Sequence, residues 1–226
     1  MRSFSEFADR REAGRRLAEP LARFSGPDTL VLALPRGGVP VGFEVARALG
    51  AELDVLVVRK IGAPFNQELG IGAIVDGSPP QTMINEELAQ TVGATAEYVE
   101  LQKDKQLAEI ERRKRTYRGD RPNPKIAGRT VIVVDDGIAT GGTVKAALRA
   151  LKAAYPARLI LAVPVAPPDA LAELGSECDE VVCLERPALF YAVGTHYEDF
   201  TQTEDAEVVS LLAEAAKNVR AVARAS

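Results

Sequence analysis

Four β-branched residues in a row, Val131, Ile132, Val133 and Val134, run straight into two carboxylates, Asp135 and Asp136. An uninterrupted apolar run this short fits a strand buried on both faces of a parallel sheet, because a half-exposed strand would alternate apolar with polar. Asp135 and Asp136 then stand at the carboxyl edge of that sheet, where open α/β folds place their ligands. Ala139, Thr140, Gly141, Gly142 and Thr143 follow, offering unhindered backbone N–H groups and two hydroxyls just before a helical pattern over residues 144–154. One segment therefore sets a diol or metal binder beside an anion cradle, and the dipole of the helix favours a dianion there.

The flanking sequence supplies the rest of such a sheet. Strands are expected over residues 29–34, 53–58, 159–163 and 181–184, with helices over 41–49 and 144–154. Residues 164–168 turn the chain, and Asp169 caps a helix that ends at 174. Strands alternating with helices at this spacing predict an α/β fold, a doubly wound, mostly parallel sheet flanked by helices. At 226 residues the chain is long enough for one such domain and short for two. Its core spans about 29–184, with a charged helical insertion at about 86–118 and a C-terminal hood and helix at about 185–226. Ahead of the core, Phe7, Gly14, Leu17, Leu21 and Phe24 recur at helical steps, giving an amphipathic helix kinked at Pro20 with its arginines facing water.

Within the insertion, a short strand over 82–84 leads into helices over 86–90 and 95–117. Glu109 with Arg113 and Glu111 with Arg115 sit at i,i+4 in the favourable order, the mark of a solvated, self-supporting helix. The run Arg112, Arg113, Lys114, Arg115 is diluted by neighbouring acids and lacks aromatic platforms, so no nucleic-acid partner is expected.

Two further loops reach the same sheet edge. Pro35, Arg36, Gly37 and Gly38 follow the first strand, and the paired glycines let the backbone approach a ligand while Arg36 adds positive charge. The second strand runs into Arg59 and Lys60, which either face that ligand or are solvated basic residues at a strand end. Residues 61–72, IGAPFNQELGIG, read as a mobile loop able to close over the site, followed by a strand at 73–75. Near the C-terminus, Phe190, Tyr191, Tyr197 and Phe200 gather around the single histidine, His196. They either stack on a planar acceptor or form a packing cluster that pins the last helix, from 204 onward.

An acidic pair beside an anion cradle meets the two needs of a ribose 5-phosphate. The order hydrophobic strand, two acids, then Thr140-Gly141-Gly142-Thr143 resembles the phosphoribosyl pyrophosphate (PRPP) signature of the type I phosphoribosyltransferases. The PRGG loop and the RK pair extend the likeness over about 29–184. The stretch AVG-x-x-Y-x-DF at 192–200 is similar to stand-alone bacterial phosphoribosyltransferases of unassigned acceptor.

The resemblance implies transfer of a phosphoribosyl group from PRPP to a nitrogenous base or related small acceptor, with release of pyrophosphate. It assigns Asp135 and Asp136 to the ribose hydroxyls and, largely through water and PRPP, to Mg²⁺. Ala139 to Thr143 would bind the 5-phosphate, and Arg36, Gly37, Gly38, Arg59 and Lys60 would face pyrophosphate. Phe190, Tyr191, His196 and Tyr197 are the candidate acceptor pocket, and family habit implies a homodimer. Two departures stand out. The loop at 61–72 lacks the cation that many members carry, and Ala139 replaces the aspartate that purine-type members often use as a base. The acceptor then arrives already ionised, or Glu68, His196 or Asp199 serves. A regulator that binds PRPP without catalysis is the alternative, although such proteins usually add a DNA-binding module.

Composition narrows the remaining classes. A net charge of −4 argues against a general nucleic-acid binder. No apolar run approaches a membrane span, and the N-terminus lacks a signal-peptide core, so a cytoplasmic protein is expected. Cys178 and Cys183 read as structural thiols. A P-loop is excluded because Gly141-Gly142-Thr143 lacks the following Lys-Ser/Thr pair.

Overall fold

The computed structural model describes residues 5–77 and 79–225, with side chains described through residue 218. Strand β6 (Thr130–Val134) is the middle of a five-stranded sheet that also holds β1 (Thr29–Ala33), β2 (Glu52–Val55), β7 (Arg158–Val165) and β8 (Glu180–Glu185). The order is β2-β1-β6-β7-β8 and every pairing is parallel. Alternate side chains of the central strands serve two different cores, which is why no polar residue interrupts them. Val31, Ala33, Ile132 and Val134 pack on one face with α1 (Arg10–Leu21), α2 (Gly38–Leu49) and α7 (Asp205–Ala225). Leu30, Leu32, Val131 and Val133 pack on the other with α5 (Gly142–Lys152) and α6 (Pro168–Leu174). Each such aliphatic side chain contributes about 1.5–3 kcal/mol when fully buried.

Residues 53–75 depart from the expected strand and mobile loop. β2 stops at Val55, and the chain starts a second, antiparallel sheet of β3 (Val58–Ala63), β4 (Asn66–Val75) and β5 (Gln81–Ile84). Pro64 and Phe65 form the turn between β3 and β4. The glycines that suggested a loop mark close approaches within this antiparallel sheet. A Cβ on Gly72 would lie 2.5 Å from the Met83 carbonyl oxygen, and one on Gly62 would lie 2.6 Å from that of Gln67. The register also slips around Gly62, as a bulge does. Ile61, Ile71 and Ile74 are buried toward the α1/α2/α7 face, whereas Ala73 and Val75 join the α5 face.

Helix α3 (Glu86–Thr91) is capped by Asn85, and α4 (Ala96–Arg118) by Thr95. The latter is not purely a solvated helix, because Ile110, Tyr117 and Arg118 are buried. Arg118 is the tie between the two sheets. Its Nε lies 3.0 Å from both carboxylate oxygens of Asp54 on β2, and its Nη1 lies 2.6 Å from Asp76 Oδ2 just past β4. It also donates to Asn123 Oδ1 and to the Val55 carbonyl.

Smaller differences occur at two prolines. Pro164 lies inside β7, but the pairing with β6 ends at Ala162, so its missing N–H falls beyond that ladder. Pro167, and not Asp169, occupies the N-cap of α6, with Asp169 in the first turn. The N-terminal segment meets residues 196–199: Phe7 bridges Tyr197 in parallel, and backbone bonds join Phe7 to His196 and Glu198, and Ala8 to Asp199. No helix among the described residues is long and apolar enough to cross a membrane.

Candidate functional site

Asp135 and Asp136 leave the carboxyl end of β6 half-buried, at the sheet edge where the sequence placed them. The loop after β1 comes directly against them. A Cβ on Gly37 would lie 2.0 Å from Asp136 Oδ2, and one on Gly38 would lie 2.7 Å from the Val134 carbonyl oxygen and 3.0 Å from Asp135 Cα. Glycine is therefore required for the two loops to touch. The Pro35–Arg36 peptide is cis. Burial first, and then the charge of Asp136, push the Asp135 carboxyl well above the ordinary carboxylate range, while the Asp136 N–H donated to Asp135 Oδ1 opposes the rise.

On the other side of the acidic pair the anion cradle is open. Ala139, Thr140, Gly142 and Thr143 are exposed at the N-terminus of α5. Gly141 takes the N-cap position at φ 75°, a left-handed conformation suited to glycine, and no side chain caps the helix. Its first-turn amides are thus left for a ligand. Thr140, Gly142 and Thr143 line a cleft of about 800 Å³ between α5 and the β3–β4 hairpin.

Lys60 lines the same cleft, paired with Glu68 at 3.1 Å. Arg59 does not share it. Successive residues of β3 point to opposite faces, and Arg59 donates to Gln106 of α4 at 2.9 Å. The expectation that Arg59 and Lys60 end a strand together is corrected: both lie within β3, and of the two only Lys60 lines the cleft that the cradle also lines. Arg36 turns toward the start of α7, 3.9 Å from Glu204 and 3.8 Å from Asp205. Asp205 also accepts from Tyr117, whose hydroxyl burial and this bond push up to about 12.

The C-terminal aromatics are mostly engaged in packing. Tyr197 is buried between Phe7 and Phe200, at ring distances of 5.3 and 5.1 Å. His196 is buried, stacked on Phe190 at 5.4 Å, with Nδ1 3.0 Å from Glu6 Oε2. Only Tyr191 stands free of that cluster, 85% exposed. Tyr197 nevertheless reaches the site, because its hydroxyl donates to the Asp136 carbonyl at 2.5 Å. Burial is the main cause that raises its pKa, so the phenol stays protonated. Asp199 accepts from the Thr201 N–H and hydroxyl, which keep its carboxyl below the usual range.

Arg10 corrects the expectation that the arginines of α1 face water. It is buried, and its Nε donates to Asp136 Oδ2 at 2.8 Å. Nothing in the sequence singled it out from Arg11, Arg15 and Arg16, since its partner lies 126 residues away.

Comparison with known proteins places the chain in a family. A family model described as the phosphoribosyl transferase domain matches residues 6–199. Two curated Mycobacterium tuberculosis proteins, named "Putative phosphoribosyl transferase Rv0571c" and "Putative phosphoribosyl transferase MT0597", are each 48% identical over 206 residues, 91% of this chain and 46% of theirs. The chain thus spans less than half the length of these curated relatives. The crystal structure of TT1426 from Thermus thermophilus is similar at a TM-score of 0.80 and 42% identity, covering 92% of this chain and 98% of that one. The matched span runs from the clasped N-terminal segment, through the PRGG loop, acidic pair and T-G-x-T cradle, to the C-terminal clasp; the chain belongs to the phosphoribosyl transferase domain family.

Proposed function

We propose that the protein transfers the phosphoribosyl group of PRPP to a nitrogenous base or related small acceptor, with release of pyrophosphate. The observation that carries this reading is the contact of the Gly37–Gly38 loop with Asp135 and Asp136, one short segment away from the uncapped N-terminus of α5. Those three features match the three parts of PRPP: pyrophosphate, ribose and 5-phosphate.

In this reaction the bond from the anomeric carbon to pyrophosphate breaks as a bond from the acceptor nitrogen forms. Positive charge grows on the ribose and negative charge on the leaving group, so catalysis rests on holding one and stabilising the other. The amides of residues 139–143 anchor the 5-phosphate, and Lys60 adds a cation on the cleft side. Asp135 and Asp136 accept from the ribose hydroxyls. The backbone at Gly37 and Gly38 faces pyrophosphate, with Arg36 held only loosely by Glu204 and Asp205 and within the same loop.

The donor set fits Mg²⁺ of one kind. Two adjacent carboxylates suit a hard cation, yet no cluster of three or more His, Cys, Asp or Glu among the described residues could hold a metal alone. Asp135 and Asp136 would therefore hold an ion shared with PRPP oxygens and water. When bound, it would neutralise charge on the departing pyrophosphate.

Ala139 offers no base, His196 is buried in the aromatic cluster and Asp199 is spent on Thr201, which leaves Glu68, exposed in the cleft beside Lys60, as the one named base still able to serve. The screen accordingly pairs acceptors that ionise near neutral pH with acceptors that need a base, the latter in wild type and in Glu68→Gln. The test is titration with PRPP and Mg²⁺, then pyrophosphate release across an acceptor panel. An Asp135→Asn/Asp136→Asn double variant is expected to lose at least about tenfold in PRPP affinity, the scale of a charged hydrogen bond. Normal binding and turnover in that variant would sink the assignment. Saturable PRPP binding with no pyrophosphate release would return the regulator.

A further inference from the structure

Arg10 holds Asp136 by contacts that phosphoribosyl transfer does not by itself demand. Its Nε lies 2.8 Å from Asp136 Oδ2, its Nη1 donates to the Thr201 carbonyl at 2.8 Å, and its guanidinium sits 3.8 Å over the Phe200 ring. The two side chains of the ion pair are only 10% and 15% exposed. Arg10 is itself fixed, as the first residue of a helix capped by Asp9. The segment ahead of it is laced to the hood by Phe7 N–H to His196, Glu198 N–H to Phe7 and Asp199 N–H to Ala8.

These constraints single out one oxygen of Asp136. Oδ2 is boxed between Arg10 and the Gly37 backbone, and Tyr197 pins the carbonyl of the same residue. Outside the acidic pair itself, whose two carboxyl groups lie within hydrogen-bonding reach of each other, no described residue donates to Oδ1. A guanidinium held by two further contacts, to the Thr201 carbonyl and the Phe200 ring, gives Asp136 Oδ2 a donor fixed in place, which an ammonium on a flexible stem does not. Arg10 is also the cation that bears on Asp135 and Asp199, whereas Arg36 is directed to Glu204 and Asp205.

We propose that Arg10 is a positioning residue for the ribosyl clamp, holding Asp136 so that Oδ1 is presented, already aligned, to a ribose hydroxyl. The proposal rests on the reading of this edge as a ribosyl phosphate site. A buried ion pair with a purely structural role would affect stability and every ligand alike. A positioning role affects only ligands that carry the ribose.

Two ligands separate these cases, and both are measured in EDTA so that no metal enters. Ribose 5-phosphate engages the α5 amides and Asp136, whereas inorganic phosphate engages the amides alone. In Arg10→Met the Kd for ribose 5-phosphate should rise about tenfold or more, the effect of misaligning a charged hydrogen bond, with the Kd for phosphate unchanged. Arg10→Lys should recover part of the loss, and in turnover the KM for PRPP should rise more than kcat falls. Unchanged ribose 5-phosphate binding in Arg10→Met overturns the proposal, and so does equal weakening of both ligands. If Arg10→Met does not fold, the same ratio in Arg10→Lys decides. A wild-type protein that binds ribose 5-phosphate no better than phosphate removes the ribosyl reading and this proposal together. Wild-type preference for ribose 5-phosphate with indifferent Arg10 variants removes this proposal alone.

Discussion

Gly37 and Gly142 are both glycines of the proposed PRPP loops, yet the structure gives them opposite tolerance. A methyl group on Gly37 meets Asp136 Oδ2 at 2.0 Å, whereas one on Gly142 meets nothing within 4 Å. Gly37→Ala must push the acidic residue or its own loop aside, at about 1–3 kcal/mol of stability, the usual cost of overpacking. Gly142→Ala should stay within about 0.5 kcal/mol of wild type. Thermal unfolding of the two variants checks this, and equal midpoints would mean that the PRGG loop is not pressed against Asp136. At this scale the sequence was legible wherever partners are neighbours in the chain. Asp135, Asp136 and the cradle at 139–143 are contiguous, so spacing alone brought them together. Arg10 and Tyr197 act on Asp136 from 126 and 61 residues away, and no local pattern distinguishes an arginine that turns inward from its solvated neighbours on α1.

Between elements, the junction of the two sheets depends on Arg118. It lies at the end of α4 and ties Asp54 of β2 to Asp76 beyond β4, with Lys114 3.3 Å from the second oxygen of Asp76. Arg118→Met would leave buried carboxylates without their main counter-charge, at about 3–5 kcal/mol in urea unfolding. The pH dependence follows from Asp54. Burial raises its carboxyl above the ordinary 3.8, against the pull of Arg118. A folded-state pKa above the unfolded value means that the fold prefers the protonated form. Its contribution is greatest below the unfolded pKa and is lost as pH rises through the folded one. Removing Arg118 leaves the effect of burial less opposed, so the deficit of Arg118→Met should shrink as pH falls from neutral into the acid range. A deficit that stays constant over that range would show that Asp54 is not the group left uncompensated. This junction also explains why the hairpin was missed. Residues 53–58 hold one polar residue among apolar ones and read as a single strand. At the break after Val55 the carbonyl of that residue accepts from Arg118, a contact 63 residues apart that no local pattern displays. The glycines of 61–72 counted toward a loop because local sequence does not show that a neighbouring strand passes close by.

Across the whole molecule, the site is completed by two segments far apart in the chain, residues 5–10 and 196–201. β6 and its flanking loops form the floor from sequence-local elements, but the clamp on Asp136 is built from Arg10, Tyr197, Phe200 and Thr201, which meet only when residues 5–10 lie along 196–201. Phe7 is the packing centre of that seam. It is 1% exposed, sits 5.3 Å from Tyr197 and carries the Arg16 guanidinium 4.7 Å over its ring. Phe7→Ala should therefore cost about 3–5 kcal/mol, as large-to-small changes at buried aromatics do. Its effect should also be local before it is global, because Phe7 and Tyr197 pack in a small cluster that meets the five-stranded sheet at Val165 and Leu184 and lies apart from the two main cores. Limited proteolysis under native conditions should cut Phe7→Ala within 190–201 while the core fragment persists, and ribose 5-phosphate should bind more weakly with phosphate binding retained. Cleavage distributed over the whole chain, or full ribose 5-phosphate affinity after the seam has opened, would show that the floor alone makes the site and that the terminal clasp only covers it.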